Sequence, residues 1–420
     1  MRILFLTQYF PPEVGAPQTR IYELANKLME RGHDVRILTA FPNYPTGVVP
    51  AEYKGRFFVR EEYKGLKVYR SYIYETPNSG FFKRLIAQLS FAFSSFCAFA
   101  AIKDEFRPEI SVAESPPLFA AITAILMRFL FGVRYVFNVA DIWPDAAVDL
   151  GMLKNRHLIR LAEMLETAAY YFSAAVVTVT RGFFKDIVRK GVPSDRVFLL
   201  PNGVDTAIFS PERAVDDEEF IRCRKELFEK FGLDGKFVVL CAGTIGLSHN
   251  VELLIEVAKR FKDENKIKFL IVGDGSEREK LVRLASEYGL ENIYFERMVP
   301  KAVMPALVSL AGVCVCSLLD TPSFRGRILA RTYEYMAMGK PILMFAAGEM
   351  AALVQTAKAG LASHPDDIEA AVENLVTMFG DKALRDEMGA NAVRFVSLNF
   401  SRDIICDRWE TLFKKCLDRS

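Results

Sequence analysis

An α/β fold of two doubly wound, Rossmann-like domains facing a cleft is what the sequence predicts, and three observations carry the prediction. The length of 420 residues suits two domains of about 100–200 residues each. Strand-like and helix-like segments alternate twice, the pattern of parallel sheets covered by helices. Between the two series, Pro201-Asn202-Gly203-Val204-Asp205 interrupts the alternation with turn chemistry, and a charged stretch over 211–230 follows it.

The first series opens on Met1-Arg2-Ile3-Leu4-Phe5-Leu6-Thr7, an apolar run too short for a signal peptide and read as a buried strand. A loop leads to a helix over 19–31, closed by Gly32, and then to a strand over 35–39. A basic, aromatic region spans 54–84, and an apolar helix follows it to residue 102. Residues 110–113, 135–139 and 175–180 read as buried parallel strands with helices between them. The second series runs through strands at 237–242, 269–272, 293–295, 313–317 and 341–345, each followed by a helical run. A last helix, 403–417, comes after the second set is complete. The expected division is a first domain over 1–207, a second over 208–400, and a C-terminal helix over 401–420 that returns to the first domain.

Composition narrows the function. With 54 basic and 52 acidic residues, the chain lacks the positive excess of a nucleic-acid coat, so no nucleic-acid partner is expected. Hydrophobic residues at 51% and charged ones at 25% exclude a largely disordered chain. None of the seven cysteines forms a CxxC pair; Cys314 and Cys316 fall on one face of a strand as small hydrophobes. A reduced, cytoplasmic compartment fits.

Residues 85–102 approach the length that spans a bilayer, but Gln88, Ser90, Ser94 and Ser95 interrupt them. At helical spacing Phe82, Ile86, Leu89, Phe93 and Phe96 form a large-residue stripe. Ala87, Ser90, Ser94, Cys97 and Ala101 form a small and polar one, so the helix packs or lies at an interface rather than spanning. Residues 51–84 carry eight Lys/Arg against four Glu, interleaved with aromatics. That composition suits an anionic membrane surface. Nucleic acid or a solvated loop beside a core helix are its rival readings.

Several loops could carry chemistry. Gly15 and Ala16 precede the first helix, where unpaired N–H groups favour phosphate; a plain strand-to-helix turn is the alternative. Gly243-Thr244-Ile245-Gly246 follows the first strand of the second series, and Gly273-Asp274-Gly275 is a similar turn, each a close approach to phosphate or simply a turn. The densest group is Ser323-Phe324-Arg325-Gly326-Arg327 with Arg331-Thr332-Tyr333-Glu334. Arg327 and Arg331, one helical turn apart, suit a diphosphate. Glu334, on the same face, could accept hydrogen bonds from ribose hydroxyls or merely pair with an arginine. Asp141 follows an apparent strand, where it either caps a turn or faces the cleft, holding sugar hydroxyls or accepting a proton. Of the histidines, only His249 stands in such a loop. With no Asp-x-Asp triplet, a metal clamp on a diphosphate has no obvious ligands, and arginines and helix N-termini would stabilise it instead.

The ordered set Pro11-Pro12…Gly15, Gly32-His33-Asp34-Val35, Asp141-Ile142-Trp143-Pro144-Asp145, Asn202-Gly203-Val204-Asp205…Phe209, Val272-Gly273-Asp274-Gly275 and Glu334-Tyr335-Met336-Ala337-Met338-Gly339-Lys340-Pro341 resembles the family 4 retaining glycosyltransferases. Those have the GT-B fold and transfer sugars from nucleotide donors. Asp-Ile-Trp-Pro-Asp looks most like the branch that builds O-antigen, capsule and exopolysaccharide, including N-acetylfucosaminyl transferases. The chain departs from the family at the first Glu of its Glu-x7-Glu motif, where Gly326 stands. It also departs at the diphosphate-gripping Arg and Lys, where it has Thr244 and His249, and at a first-domain His, where it has Asp141. Arg331 replaces a Lys common in the branch.

The resemblance implies a metal-independent transferase without a cofactor, in lipopolysaccharide biosynthesis. It would move an N-acetylated deoxyhexosamine from UDP to a saccharide carried on polyprenyl diphosphate, at the inner face of the plasma membrane. Asp141, Arg327 and Arg331 are the expected catalytic residues. Gly15, Ala16, Gly243, Thr244, Gly246, His249, Gly273, Asp274, Arg297, Met298, Arg331 and Glu334 are expected to hold the donor, with base selection around 297–299. A nucleotide-sugar epimerase of the same fold and a non-catalytic nucleotide-sugar-binding subunit are the alternatives.

Overall fold

Strand β1 (Arg2–Leu6) buries every residue after Arg2. Strand β2 (Asp34–Ala40) runs parallel beside it, with Ile3 opposite Val35 and Phe5 opposite Ile37. Strands covered on both faces read as continuous apolar runs, which is why both are legible in the sequence. The computed structural model describes residues 1–44, 46–76 and 80–418, the side chains of Ala16 and Phe81 excepted. The chain divides into two units, Met1–Asn202 with Arg402–Ser420, and Gly203–Ser401.

The first unit adds β3 (Phe58–Tyr63), β4 (Leu66–Ser71), β5 (Ile110–Ser115), β6 (Arg134–Val139), β7 (Ala175–Thr178) and β8 (Val197–Leu199). The sheet order is β3-β4-β2-β1-β5-β6-β7-β8, and every neighbouring pair is parallel except β3 with β4. That hairpin changes the meaning of the basic stretch. Tyr63 pairs with Leu66 across Lys64 and Gly65, whose φ values of 48° and 86° are the double positive-φ signature of a tight hairpin turn. Arg70 is fully buried, paired with Glu61 and donating to the carbonyls of Ala40 and Pro11. Arg60 pairs with Glu105 at 3.3 Å and Lys54 with Glu75 at 3.9 Å. Among the described residues, three of the eight cations are thus paired within the unit, two of them with the stretch's own Glu61 and Glu75 and one with Glu105 outside it, and part of the stretch is the edge of the sheet. Residues 77–79, within it, lie outside the described residues.

The helix Phe81–Ile102 is long and apolar enough to cross a membrane by composition, yet one face of it packs, and that face is not the expected small stripe. Of that stripe only Ala87 and Ser94 are buried and Ala101 is exposed, while Phe91, Phe99 and Ile102 turn inward as well. Ala87, Phe91, Ser94, Ala98 and Ile102 are buried, whereas Phe82, Ile86, Leu89 and Phe93 are exposed. Its serines make specific bonds to neighbouring elements. Ser94 donates to the Tyr72 carbonyl at 2.5 Å, and Ser95 and Thr123 share a hydrogen bond of 2.9 Å. The C-terminal helix Arg402–Asp418 belongs to this unit. Ile405, Trp409 and Phe413 join the core that includes Ile21 and Leu28 of the helix Ala16–Glu30. Arg31 anchors it through Asp407 at 2.5 Å and Glu410 at 2.8 Å.

In the second unit β9 (Phe237–Ala242), β10 (Ile267–Val272), β11 (Ile293–Glu296), β12 (Val313–Ser317), β13 (Ile342–Phe345) and β14 (Gly360–Ser363) form an all-parallel sheet. Its order is β11-β10-β9-β12-β13-β14. Cys314 and Cys316 are fully buried on β12. Strands β3, β4, β8 and β14 are the ones the alternation did not mark. β3, β8 and β14 lie at sheet edges, where the apolar run is weakest, and β4, inside the sheet, carries Lys67 and Arg70 among its apolar residues.

Candidate functional site

In the second unit the predicted residues converge at the carboxyl ends of β9, β10, β11 and β12, where parallel sheets present ligand loops. The ladder continues into the loops: Gly243 N–H donates to Val272 O at 2.8 Å, Ile245 N–H to Asp274 O at 2.9 Å, and Gly273 N–H to Glu296 O at 3.0 Å. Glycine is required for this. A Cβ on Gly273 would lie 1.8 Å from the Gly243 carbonyl oxygen, and one on Gly275 would lie 2.2 Å from that of Ile245. The bareness of Gly273 and Gly275 is therefore used by the protein's own backbone. Asp274 likewise accepts from Gly275 N–H at 2.9 Å and pairs with the exposed Arg297 at 3.2 Å. Met298, next to it, is exposed.

The helix Ala330–Ala337 is pinned to the end of β9 by Tyr335, whose hydroxyl accepts from Ala242 N–H at 2.8 Å and donates to Ala242 O at 2.9 Å. This places Arg331 under the first glycine loop. Its Nη2 donates to the Thr244 carbonyl at 2.7 Å, and a Cβ on Gly243 would stand 3.1 Å from its guanidinium. The expected one-turn spacing of Arg327 and Arg331 on a helix does not occur. Arg327 lies in the link between the short helix Pro322–Arg325 and the helix that starts at Ala330, because Leu329 is extended. Both arginines nevertheless bear on His249. Burial, then the charges of Arg331 and Arg327, push the His249 pKa well below the usual imidazole range. A neutral ring results, its Nδ1 accepting from Gly246 N–H at 3.3 Å.

Glu334 does not pair with an arginine on its own helix. Its carboxylate accepts from Lys301, whose ammonium also sits 4.6 Å from the centroid of the Phe209 ring. Lys301 is a residue that sequence reasoning missed, since nothing in Pro300-Lys301-Ala302 marks it. Gly348, at a φ of 76°, was also missed. A Cβ there would lie 2.1 Å from the Arg325 carbonyl oxygen, and its signal was the run of small residues Ala346-Ala347-Gly348 after a strand. His364 pairs with Asp320 at 3.1 Å. Asp320 also holds Arg325 at 2.6 Å, and those contacts keep the Asp320 carboxyl down at about 2. Lys340 is structural: it donates to the carbonyls of Ser309 and Ala311.

In the first unit Asp141 sits just past the carboxyl end of β6, before the helix Asp145–Asp149. Gly15 is the N-cap of the helix Ala16–Glu30, in extended backbone with φ 171°. The helix therefore begins at Ala16, before the expected position, with Pro17 in its first turn. The Ala16 side chain lies outside the described residues. Beside Gly15, buried Glu13 ties two loops together by accepting from the N–H groups of Asn43 and Tyr44, each at 2.7 Å. Burial pushes its carboxyl pKa up. Glu114, at the end of β5, accepts from Arg20 and Asn138, each at 2.7 Å. A charge within an otherwise apolar strand was the available signal for it. Among the described residues no group of three or more His, Cys, Asp or Glu could hold a metal ion.

Comparison with known proteins gives these loops a context. Residues 15–203 match the model of a glycosyl transferase 4-like domain, and residues 223–395 match that of glycosyl transferases group 1. The chain is 31% identical over 313 residues to a putative colanic acid biosynthesis glycosyl transferase of Escherichia coli, covering 74% of this chain and 75% of that one. It is 20% identical to the O-antigen chain mannosyltransferase C of Escherichia coli, covering 100% of this chain and 99% of that one. Its fold is similar to that of sucrose-phosphate synthase from Thermosynechococcus elongatus, with a TM-score of 0.77 at 18% identity and full coverage of both chains. The chain belongs to the family 4 glycosyltransferases of GT-B type, enzymes of glycan biosynthesis.

Proposed function

We propose that the enzyme moves a sugar, an N-acetylated deoxyhexosamine, from a UDP donor to a lipid-linked saccharide in bacterial surface polysaccharide synthesis, with retention of anomeric configuration. The observation that carries the donor half is the placement of Arg331 and Glu334 on one helix pinned against the glycine loop of β9. A nucleoside diphosphate needs cationic donors for its phosphates and an acceptor for its ribose hydroxyls, and this helix supplies both. Arg327 adds charge from the preceding link. Backbone N–H groups and arginines meet the developing charge on the leaving diphosphate without a metal. Neutral His249, its Nδ1 occupied by Gly246 N–H, leaves Nε2 to donate.

On the first unit, Asp141 supplies a carboxylate for the acceptor's hydroxyls or its proton. The acceptor class, and work at the inner face of the plasma membrane, rest on the colanic-acid and O-antigen relatives together with the exposed apolar face of the helix Phe81–Ile102.

The test is a thermal-shift screen over nucleoside diphosphates and their sugars, followed by transfer to a polyprenyl-diphosphate saccharide with NMR of the new linkage. Ligand at about 100 times its Kd should stabilise the protein by about 2.7 kcal/mol. The reading predicts the largest shift with UDP compounds and a product that keeps the donor's configuration. A larger shift with another base, or inversion, would overturn that part of it.

A further inference from the structure

The first unit carries a second concave surface, at the opposite end of its sheet from Gly15 and Asp141. A groove of about 640 Å³ is walled by Arg128, Arg134 and Arg196 and by the rings of Phe129, Tyr171 and Phe172. It opens beside the amino ends of β6, β7 and β8, since Arg134 begins β6 and Arg196 precedes β8. Among the described residues no carboxylate lines it. Two of the arginines are held in place by backbone carbonyls. Arg134 donates to Cys416 O at 3.0 Å and Leu417 O at 2.9 Å, and Arg196 donates to Ser173 O at 2.6 Å. Their charge is oriented, and among the described residues no carboxylate pairs with either.

The groove borders an apolar surface shared by three helices, Phe81–Ile102, Ala120–Phe131 and Arg156–Phe172, the middle one packing on both others. Phe82, Phe93, Phe129, Leu130, Met164 and Tyr171 are each at least 61% exposed. They are not scattered singly. Phe96 stacks toward Phe131 at 6.0 Å, and Phe129 meets Phe172 at 4.9 Å, so apolar surface runs continuously across the helices. Patches of this extent mark an interaction surface. The first two helices carry Lys83, Arg84 and Arg128 and no Asp or Glu. The third adds Arg156 and Arg160 against the exposed Glu163. Large apolar side chains with this net positive charge complement an anionic bilayer, which offers phosphate at the headgroup level and hydrocarbon below it.

We propose that this three-helix face, with the Arg128–Arg134–Arg196 groove as its headgroup site, seats the enzyme on anionic phospholipid. The inference rests on the membrane-surface reading above and deepens it. It moves the contact from the basic 51–84 stretch, whose charges are partly paired, to a face where, among the described residues, Lys83, Arg84, Arg128, Arg134 and Arg196 form no ion pair. The groove takes a lipid phosphate while the exposed phenylalanines enter the acyl boundary.

Co-sedimentation of the full chain with vesicles of phosphatidylcholine, alone or with phosphatidylglycerol, tests it. The triple variant Arg128→Glu, Phe129→Ser, Leu130→Ser should lose at least about tenfold in affinity for the anionic vesicles. Lys64→Glu with Lys67→Glu, on the hairpin, should change it little. Hydrogen exchange on the unmodified protein keeps the test valid if the triple variant misfolds: anionic vesicles should protect 120–131 and 156–172. Glycerol 3-phosphate in solution should not displace the vesicles. Equal loss from the hairpin variant, absence of protection over those segments, or displacement by glycerol 3-phosphate would each overturn the proposal. UDP binding by the triple variant separates the two readings, because it should stay unchanged whichever way the vesicle result falls.

Discussion

Replacing Glu334 by Gln keeps the side chain's shape and removes its charge. In the structure that carboxylate is one partner of a half-buried ion pair, with the Lys301 side chain 30% exposed and that of Glu334 16% exposed. Lys301 can turn its ammonium to water, and it keeps its contact with the Phe209 ring, so the loss of fold stability should stay within about 1 kcal/mol. Donor binding should suffer more. A hydrogen bond to a charged acceptor contributes about 1.5–3 kcal/mol and one to the neutral amide oxygen about 0.5–1.5 kcal/mol, so the loss of about 1–1.5 kcal/mol raises the Kd roughly 5- to 13-fold. Calorimetric titration with UDP measures it, and 2′,3′-dideoxyuridine diphosphate provides the internal control. That analogue has no ribose hydroxyls, so Glu334→Gln should leave its affinity nearly unchanged. Lys301→Met should weaken UDP as well, by loosening the orientation of the carboxylate. The double variant should then cost less than the sum of the single ones, since both act through one contact. Equal weakening of UDP and its dideoxy analogue, or strict additivity, would show that Glu334 supports the helix and does not read the ribose.

Two further outcomes follow from the same loops. Because the His249 pKa is held well below that of the unfolded chain, the unfolded state binds the extra proton as the pH falls through about 6.5. Stability should therefore be full above about pH 6.5 and decline below it, by up to about 1.4 kcal/mol per pH unit from this group. His249→Asn should flatten that slope in urea titrations between pH 5 and 7, and an unchanged slope would remove the assignment. Gly273→Ala places a Cβ 1.8 Å from the Gly243 carbonyl oxygen, so the two loops must separate. The urea midpoint should fall by the equivalent of at least about 1–3 kcal/mol, with weaker UDP binding. A midpoint equal to that of the unmodified protein would mean that the loops are not locked together.

The sequence by itself determined the layered architecture. Strands such as β1, β9 and β12 are buried on both faces, so their apolar runs stand out without any knowledge of their neighbours. It also marked the loops after β9 and β10, because glycines directly after buried strands signal a close approach of backbone or ligand. The tertiary structure alone decided what each of those residues does. Gly273 and Gly275 are bare because another backbone passes over them, and no local pattern states which one. Arg327 fell off the expected helix because Leu329 is extended, while Glu334 found Lys301 from a distant turn. The basic stretch split in the same way. Its charges count alike in composition, but Arg70 lies in the core and Arg60 reaches Glu105 across the fold. The apolar helix shows the difference most plainly. Periodicity separates a large stripe from a small one, but packing against the sheet and its neighbouring helices decides which residues turn inward, and it takes Phe91, Phe99 and Ile102 together with Ala87 and Ser94. Serines that find carbonyls and hydroxyls at 2.5–2.9 Å hold that face there, and Phe82 and Phe93 are left outside.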